Sequence, residues 1–283
     1  MEPTRFVDGL AIYEIGEGEP LLLMPYPHGY TRAKTADGGL FEILAGFGRR
    51  VVTFDPPGAY NSTRLPDVSM PEMLVCAQEV IKSAGIKTPV DVVGHSMGGL
   101  VSLALAIEQP ELVKKLVIID SVTGGPAIRR HRAMPYCWGY ASSSLWRFVW
   151  HGGKISRGRG NLRDHKILQR LVMNASYRDQ SYLAAHLADI GPDLPDDKRK
   201  SPPPRDCWPI KILRLDYRRR LGEVKCPTMV IAGQYDPQVP ETAAREISGG
   251  IPGAELTIFC ESAHYPYIEE PDKFRKELAA FFA

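Results

Sequence analysis

Short, almost purely apolar runs alternate with helix-spaced segments along this 283-residue chain. Val90–Val93, Leu116–Ile119, Met229–Ala232 and Leu256–Phe259 carry scarcely a polar side chain, the pattern of strands covered on both faces. Residues 6 to 14 and 21 to 24 read as an opening hairpin and a first inner strand, and Val51–Phe54 as the next, closed by Pro56-Pro57-Gly58. Between the runs lie apolar stripes of helical period. Leu74, Ala77 and Ile81 follow Ser69-Met70-Pro71-Glu72, which predicts a capping-box start. Leu100, Leu103, Ala104 and Ile107 precede Pro110, and Phe274, Leu278 and Phe281 follow Pro271, a helix-opening proline. Strand and helix alternate to about residue 122, break off, and resume near Val224. The pattern predicts an α/β fold with a mostly parallel central sheet flanked by helices. Residues 1–123 and 223–283 form its core, and 124–222 an inserted helical cap.

One junction carries chemistry. Val90-Asp91-Val92-Val93-Gly94-His95-Ser96-Met97-Gly98-Gly99 passes from strand to helix through a single serine between glycines. A sharp strand-to-helix turn strains the serine backbone and leaves its hydroxyl exposed, while side chains at positions 94 and 98 would collide with the turn. Ser96 is the candidate nucleophile. The amide of Met97, opening the helix, suits a developing oxyanion.

Two further residues follow predicted strands. Asp236 lies on the loop after Met229–Gly233 and His264 on the loop after Glu255–Phe259. The order Ser96, Asp236, His264 is that of a nucleophile, acid and base spread over one sheet. Asp120, after the strand ending at Ile119, is a rival acid at another strand end. Cys260, close to His264 in sequence, lacks an elbow and is expected to pack rather than react.

Several segments together resemble the α/β-hydrolase superfamily, in its cap-bearing esterase and peptidase-like branch. They are Pro20-Leu21-Leu22-Leu23-Met24 with His28-Gly29, Phe54-Asp55-Pro56-Pro57-Gly58 with Asn61-Ser62-Thr63, Gly94-His95-Ser96-Met97-Gly98-Gly99, Gly233-Gln234-Tyr235-Asp236, and Ser262-Ala263-His264. The resemblance implies a serine hydrolase without metal or organic cofactor. It departs at Pro25-Tyr26-Pro27, which intervenes before His28-Gly29. Neither proline has an N–H, so the second oxyanion donor falls to Tyr26, with His28 and its neighbours as alternatives. His28 equally suits substrate contact or loop capping.

Composition adds a charge asymmetry. Residues 124–222 hold 20 Lys plus Arg against 8 Asp and no Glu, a net +12, which leaves −10 for the remainder and only +2 overall. A basic cap either pairs with the acidic body or draws in anionic substrates. The short runs Arg129-Arg130-His131-Arg132 and Arg218-Arg219-Arg220 accompany no nucleic-acid motif, so no nucleic-acid partner is expected. All four tryptophans lie in this span. With neighbouring Tyr and Phe they either line a pocket over Ser96 or form the cap's own core. Trp138 and Trp150 are the candidate substrate contacts. The N-terminus lacks a signal-like segment and no apolar run approaches a membrane span, giving a cytoplasmic expectation. Five scattered cysteines without Cys-x-x-Cys spacing read as free thiols.

The expectation is hydrolysis of a carboxylic ester, lactone or thioester, with an anionic portion, through an acyl-enzyme on Ser96. A proline iminopeptidase-like activity is the alternative suggested by Phe54–Arg64, opposed by a basic cap lacking glutamate. Slow-turnover receptors on this fold, and carbon–carbon bond hydrolases, share the triad.

Overall fold

The computed structural model describes residues 1–25, 39–58, 61–65, 67, 69–133, 142–157, 159–185 and 214–283. Eight strands form one sheet in the order β1-β2-β4-β3-β5-β6-β7-β8. β1 (Arg5–Val7) and β2 (Leu10–Ile15) make the hairpin, and β2 pairs antiparallel with β4 (Arg49–Phe54). All remaining pairs are parallel, through β3 (Glu19–Met24), β5 (Val90–His95), β6 (Val113–Ile119), β7 (Thr228–Gly233) and β8 (Glu255–Phe259).

Near-continuous apolar strands arise because alternate residues bury on opposite faces. Leu22, Met24, Val52 and Phe54 join the core beneath α2 (Met70–Ser83) and α3 (Met97–Glu108), which Ala244 and Ile247 of α8 (Glu241–Gly250) also enter. Leu21, Leu23, Val51 and Val93 face the other way, toward α1 (Leu40–Ala45) and α10 (Pro271–Phe282). Phe274, Leu278 and Phe281 are the buried stripe of α10, as the sequence predicts. Helices therefore cover both faces, the arrangement that parallel strands require. Between β6 and β7 the described residues add α4 (Gly125–Arg130), α5 (Ser142–Ser156), α6 (Leu162–Ser176) and α7 (Gln180–Ala185). A short α9 (Pro266–Glu269) follows β8. None of the described helices is long and apolar enough to cross a membrane.

The chain leaves the sheet after β6 and returns beside its own exit. Gly124 bridges Asp216, Gly125 N–H donates to Leu215 O at 3.0 Å, and Tyr217 N–H to Thr123 O at 2.7 Å. The points of departure and return thus meet at one neck.

The capping box expected at α2 does not form. Ser69 makes no side-chain cap; its N–H instead donates to Asp67 Oδ1 at 2.9 Å. Glu72, the other half of the box, is drawn outward to Arg64 Nε at 2.7 Å. A fixed cation outcompetes a neutral amide for a carboxylate. A complete box occurs at α6, where Asn161 and Asp164 cap each other's backbone.

Strand order marks a switch point. β3 lies between β4 and β5, so successive connections leave it in opposite directions, and in open α/β sheets ligands bind outside the carboxyl ends of strands at such a point. Glycines let the backbones meet there. A Cβ on Gly94 would lie 2.3 Å from Ser102 Oγ and 2.4 Å from Gly98 O, and one on Gly98 would lie 2.5 Å from Met24 O at the end of β3. Gly94→Ala is accordingly expected to cost about 3 kcal/mol or more, an overpacking penalty, and to lower Tm by roughly 6–12 °C. Thermal melting checks this, and an unchanged Tm contradicts the close packing of the elbow.

Candidate active site

Ser96 ends β5 and caps α3 with φ 53° and ψ −119°, a conformation rare outside glycine. Neighbours hold it there. Ser96 N–H donates to Ile119 O at 2.8 Å, and Ser121 Oγ donates to Ser96 O at 2.6 Å. Such a backbone costs on the order of 1–3 kcal/mol and persists only where the surroundings impose it. Ser96 and Met97 are half-buried among otherwise buried residues of β5 and α3. Met97 is the first residue of α3, so its N–H belongs to the turn with no intrahelical acceptor. Tyr26 and His28 lie outside the described residues. Pro25, the last described residue before them, has a carbonyl that would lie 3.3 Å from a Cβ on Gly98, beside the start of α3.

His264 and Asp236 meet on the loops after β8 and β7. His264 Nδ1 lies 2.6 Å from Asp236 Oδ2, both side chains being almost wholly buried. The loops are tied by backbone bonds, Gln234 N–H to Phe259 O at 2.9 Å and Tyr235 N–H to Ser262 O at 3.0 Å. They pack so closely that a Cβ on Gly233 would fall 1.8 Å from Ala263 O. Asp236 Oδ1 accepts Gln238 N–H at 2.7 Å, so both carboxylate oxygens are engaged. An imidazole held this way presents Nε2 as a base, with Nδ1–H directed at the carboxylate. Among the described residues no hydrogen bond joins the Ser96 hydroxyl to His264; in unliganded hydrolases that contact is commonly loose.

His95, adjacent to Ser96, locks the histidine loop from beneath. Its Nε2–H donates to the His264 carbonyl at 2.7 Å, and Tyr267 Oη lies 3.4 Å from Nδ1. The ring is fully buried, 4.5 Å from that of His264. Burial first, and the neighbouring His264 second, hold its pKa well below the usual imidazole value. The buried ring stays neutral while the unfolded chain takes up a proton, so its contribution to stability is present above about pH 6.5 and falls away below it, at up to about 1.4 kcal/mol per pH unit. Urea midpoints from about pH 8 down to about pH 5 are expected to fall more steeply for the wild type than for His95→Asn. Parallel curves contradict the neutral ring.

Asp120, the rival acid, ends β6 at φ 42° and is fully buried. Its Oδ1 accepts Gly233 N–H at 2.9 Å. Asp236 occupies Nδ1 of His264, so Asp120 stands behind the pair rather than in it. One donor atom each from His95, Asp120 and His264 lies within 4.8 Å of the others. Hydrogen bonds already engage both nitrogens of His95 and Nδ1 of His264, so the cluster reads as a hydrogen-bonded one rather than a cation site.

The helical excursion is fastened to the histidine loop. Ser176 O, at the end of α6, accepts His264 N–H at 2.9 Å. Glu269 accepts the backbone N–H groups of Arg178, Asp179 and Ala263 at 2.7, 3.0 and 2.7 Å. Sequence spacing flags none of His95, Ser176, Tyr267 or Glu269, whose roles arise from tertiary contacts alone.

Other expectations fare differently. Trp150 is 67% exposed on α5, in a groove shared with Trp146, Val149, His151 and Lys154 that includes none of Ser96, Asp236 or His264. Trp138 lies outside the described residues. Cys260 is exposed and does not pack in the core; Cys76, Cys226 and Cys260 are free thiols. Within Phe54–Arg64, the described residues Asp55, Asn61 and Ser62 are tied into a hydrogen-bonded knot. Asp55 Oδ2 accepts Tyr13 Oη–H at 2.6 Å and Asn61 N–H at 3.0 Å, and Ser62 Oγ–H donates to Asp55 O at 2.6 Å, tying the loop after β4 to β2.

Residues 27–271 match the family described as alpha/beta hydrolase fold. The chain is an α/β hydrolase. Among its relatives is the 2-hydroxymuconate semialdehyde hydrolase of Pseudomonas putida, 29% identical over 278 residues that cover 96% of this chain and 90% of the relative. Solved structures of similar fold include an alpha/beta fold family hydrolase from Bacillus anthracis str. Sterne, with TM-score 0.78, 22% identity and coverage of 96% of this chain and 95% of that one. The enol-lactonase from Burkholderia xenovorans LB400 superposes with TM-score 0.73 at 19% identity, covering 96% of each chain. For this α/β hydrolase, relatives and geometry both favour hydrolysis over a purely structural role.

Proposed function

We propose that this α/β hydrolase cleaves a carboxylic ester or lactone of a small, anionic acyl compound through an acyl-enzyme on Ser96. The observation that carries the reading is Ser96 at φ 53° on a β5–α3 elbow, next to His95, whose ring lies 4.5 Å from that of His264 in a His264–Asp236 pair 2.6 Å apart. His264, oriented by Asp236, takes the proton of Ser96 as Oγ attacks the carbonyl carbon. The oxyanion sits against the N–H of Met97 and a donor from the loop after β3, for which Tyr26 is the sequence's choice. His264 then gives the proton to the leaving alkoxide, and a water activated by the same imidazole releases the acid. Residues 124–222 act as a cap over the crevice. In support, the chain departs and returns at one neck, and Ser176 joins this excursion directly to His264. The cap's net charge of +12 would concentrate anions.

A second reading, hydrolysis of a carbon–carbon bond in a hydroxy-oxo-dienoate, is favoured by the name of the Pseudomonas putida relative. A panel of short-chain esters, lactones, hydroxy-oxo-dienoates and prolyl amides, each run with the Ser96→Ala variant, separates the two. Ester or lactone turnover lost in the variant supports the proposal. Turnover confined to dienoates replaces it with the second reading, and preference for prolyl amides overturns the view of the basic cap.

A further inference from the structure

The two oxygens of Asp120 have opposite surroundings. Oδ1 takes the Gly233 N–H at 2.9 Å, whereas Oδ2 is sealed from solvent and meets no donor among the described residues. The carboxyl of Asp236 lies within hydrogen-bonding reach of the Asp120 side chain, and with Oδ1 given to Gly233 the oxygen left to meet it is Oδ2. Two carboxylates against each other in a dry site cannot both be ionised, so one of them carries a proton. Asp236 is the poorer candidate. Its Oδ2 accepts from His264 Nδ1 and its Oδ1 from Gln238 N–H, both bonds that favour the anion. We propose that Asp120 is a neutral carboxylic acid whose Oδ2–H donates to the Asp236 carboxylate, making it a positioning residue for the acid that orients His264.

Other groups face Asp120 from each element packed around it. They are His95 on β5, Asp236 after β7, His264 and Tyr265 after β8, and Glu269 on α9. None supplies a fixed cation. His95 is neutral, with its one N–H turned to the His264 carbonyl. Burial first, and the Asp236 charge second, raise the Asp120 pKa well above the ordinary carboxylate value, against a weaker pull from Gly233 N–H. Asp236 thereby gains a third donor, and the Asp120–Asp236 pair carries a single negative charge. A lone carboxylate steadied by His264, Gln238 and Asp120 cannot rotate away from the imidazole.

The catalytic consequence rests on the proposed reading of Ser96, Asp236 and His264; the protonation does not, and is measured separately. Difference infrared spectra of wild type against Asp120→Asn, at mildly alkaline pH, are expected to show the carbonyl stretch of a protonated carboxylic acid that the variant lacks. Its absence from the folded wild type overturns the proposal whatever the enzyme hydrolyses. In turnover, asparagine can accept from Gly233 and donate to Asp236 as the acid does. Asp120→Ala is expected to lose roughly ten- to a hundredfold in kcat, the range for one hydrogen bond to a charged group, and Asp120→Asn to stay within about threefold of wild type. The acid limb of the kcat/KM profile then keeps its place in Asp120→Asn. A limb displaced to lower pH, the mark of a removed negative charge, or asparagine failing as badly as alanine, contradicts a neutral Asp120.

Discussion

Ser96→Ala is expected to lower kcat on every hydrolysed substrate by about 10⁵-fold while leaving stability within about 0.5 kcal/mol of wild type. The size follows from the way a nucleophile and its base act as one unit. Without Oγ there is no acyl-enzyme, and the residual rate is what the oxyanion donors and substrate binding supply to a direct attack by water. Stability is spared because the change removes a hydroxyl and keeps the backbone. The positive φ of Ser96 is held by its N–H to Ile119 O and by Ser121 Oγ on its carbonyl, contacts that alanine retains. Steady-state kinetics beside a urea melt checks both halves. Loss of activity together with loss of fold would return the residue to a structural role.

Asp236→Asn is expected to lower kcat by about 10³- to 10⁴-fold. The carboxylate accepts His264 Nδ1–H at 2.6 Å within a nearly dry pocket. An amide in its place either points its NH₂ at the ring, which forces the proton onto Nε2 and disarms the base, or turns its oxygen inward with no charge to steady the imidazolium. The two buried aspartates of this site thus predict opposite results for the same chemical change. Asparagine is costly at 236, where the anion is needed, and mild at 120, where a donor is needed. Parallel kinetics on Asp236→Asn and Asp120→Asn decides between the two possible acids, and a larger loss at 120 would reverse the assignment.

Much of this was legible in the chain. Strands buried on both faces advertise themselves as unbroken apolar runs, and the elbow glycines are dictated by contacts of 2.3 to 2.5 Å that admit no Cβ. α8 left a weaker trace. Its buried positions Ala243, Ala244 and Ile247 are mostly alanine, which carries little hydrophobic contrast. The sequence favoured Asp236 by chain order but left Asp120 as a rival, because both follow strands at the same edge of the sheet. Only the tertiary arrangement distinguishes them, by giving Asp236 to His264 Nδ1 and Asp120 to Gly233 N–H. His95 and Glu269 were silent for a related reason. Their partners are backbone groups of the histidine loop and of the α6–α7 connection, far away in sequence. The capping box expected at Ser69 was wrong, because Arg64, five residues before it, takes the Glu72 carboxylate, a side-chain competition that the spacing of the box does not encode.

Covalent trapping tests the central claim most directly. The wild type is treated with a fluorophosphonate and examined by intact mass and peptide mapping, with Ser96→Ala alongside. A single adduct on Ser96, absent from the variant, is the predicted result. Labelling that survives Ser96→Ala, or an adduct mapped to another residue such as the exposed Cys260, would contradict Ser96 as the nucleophile.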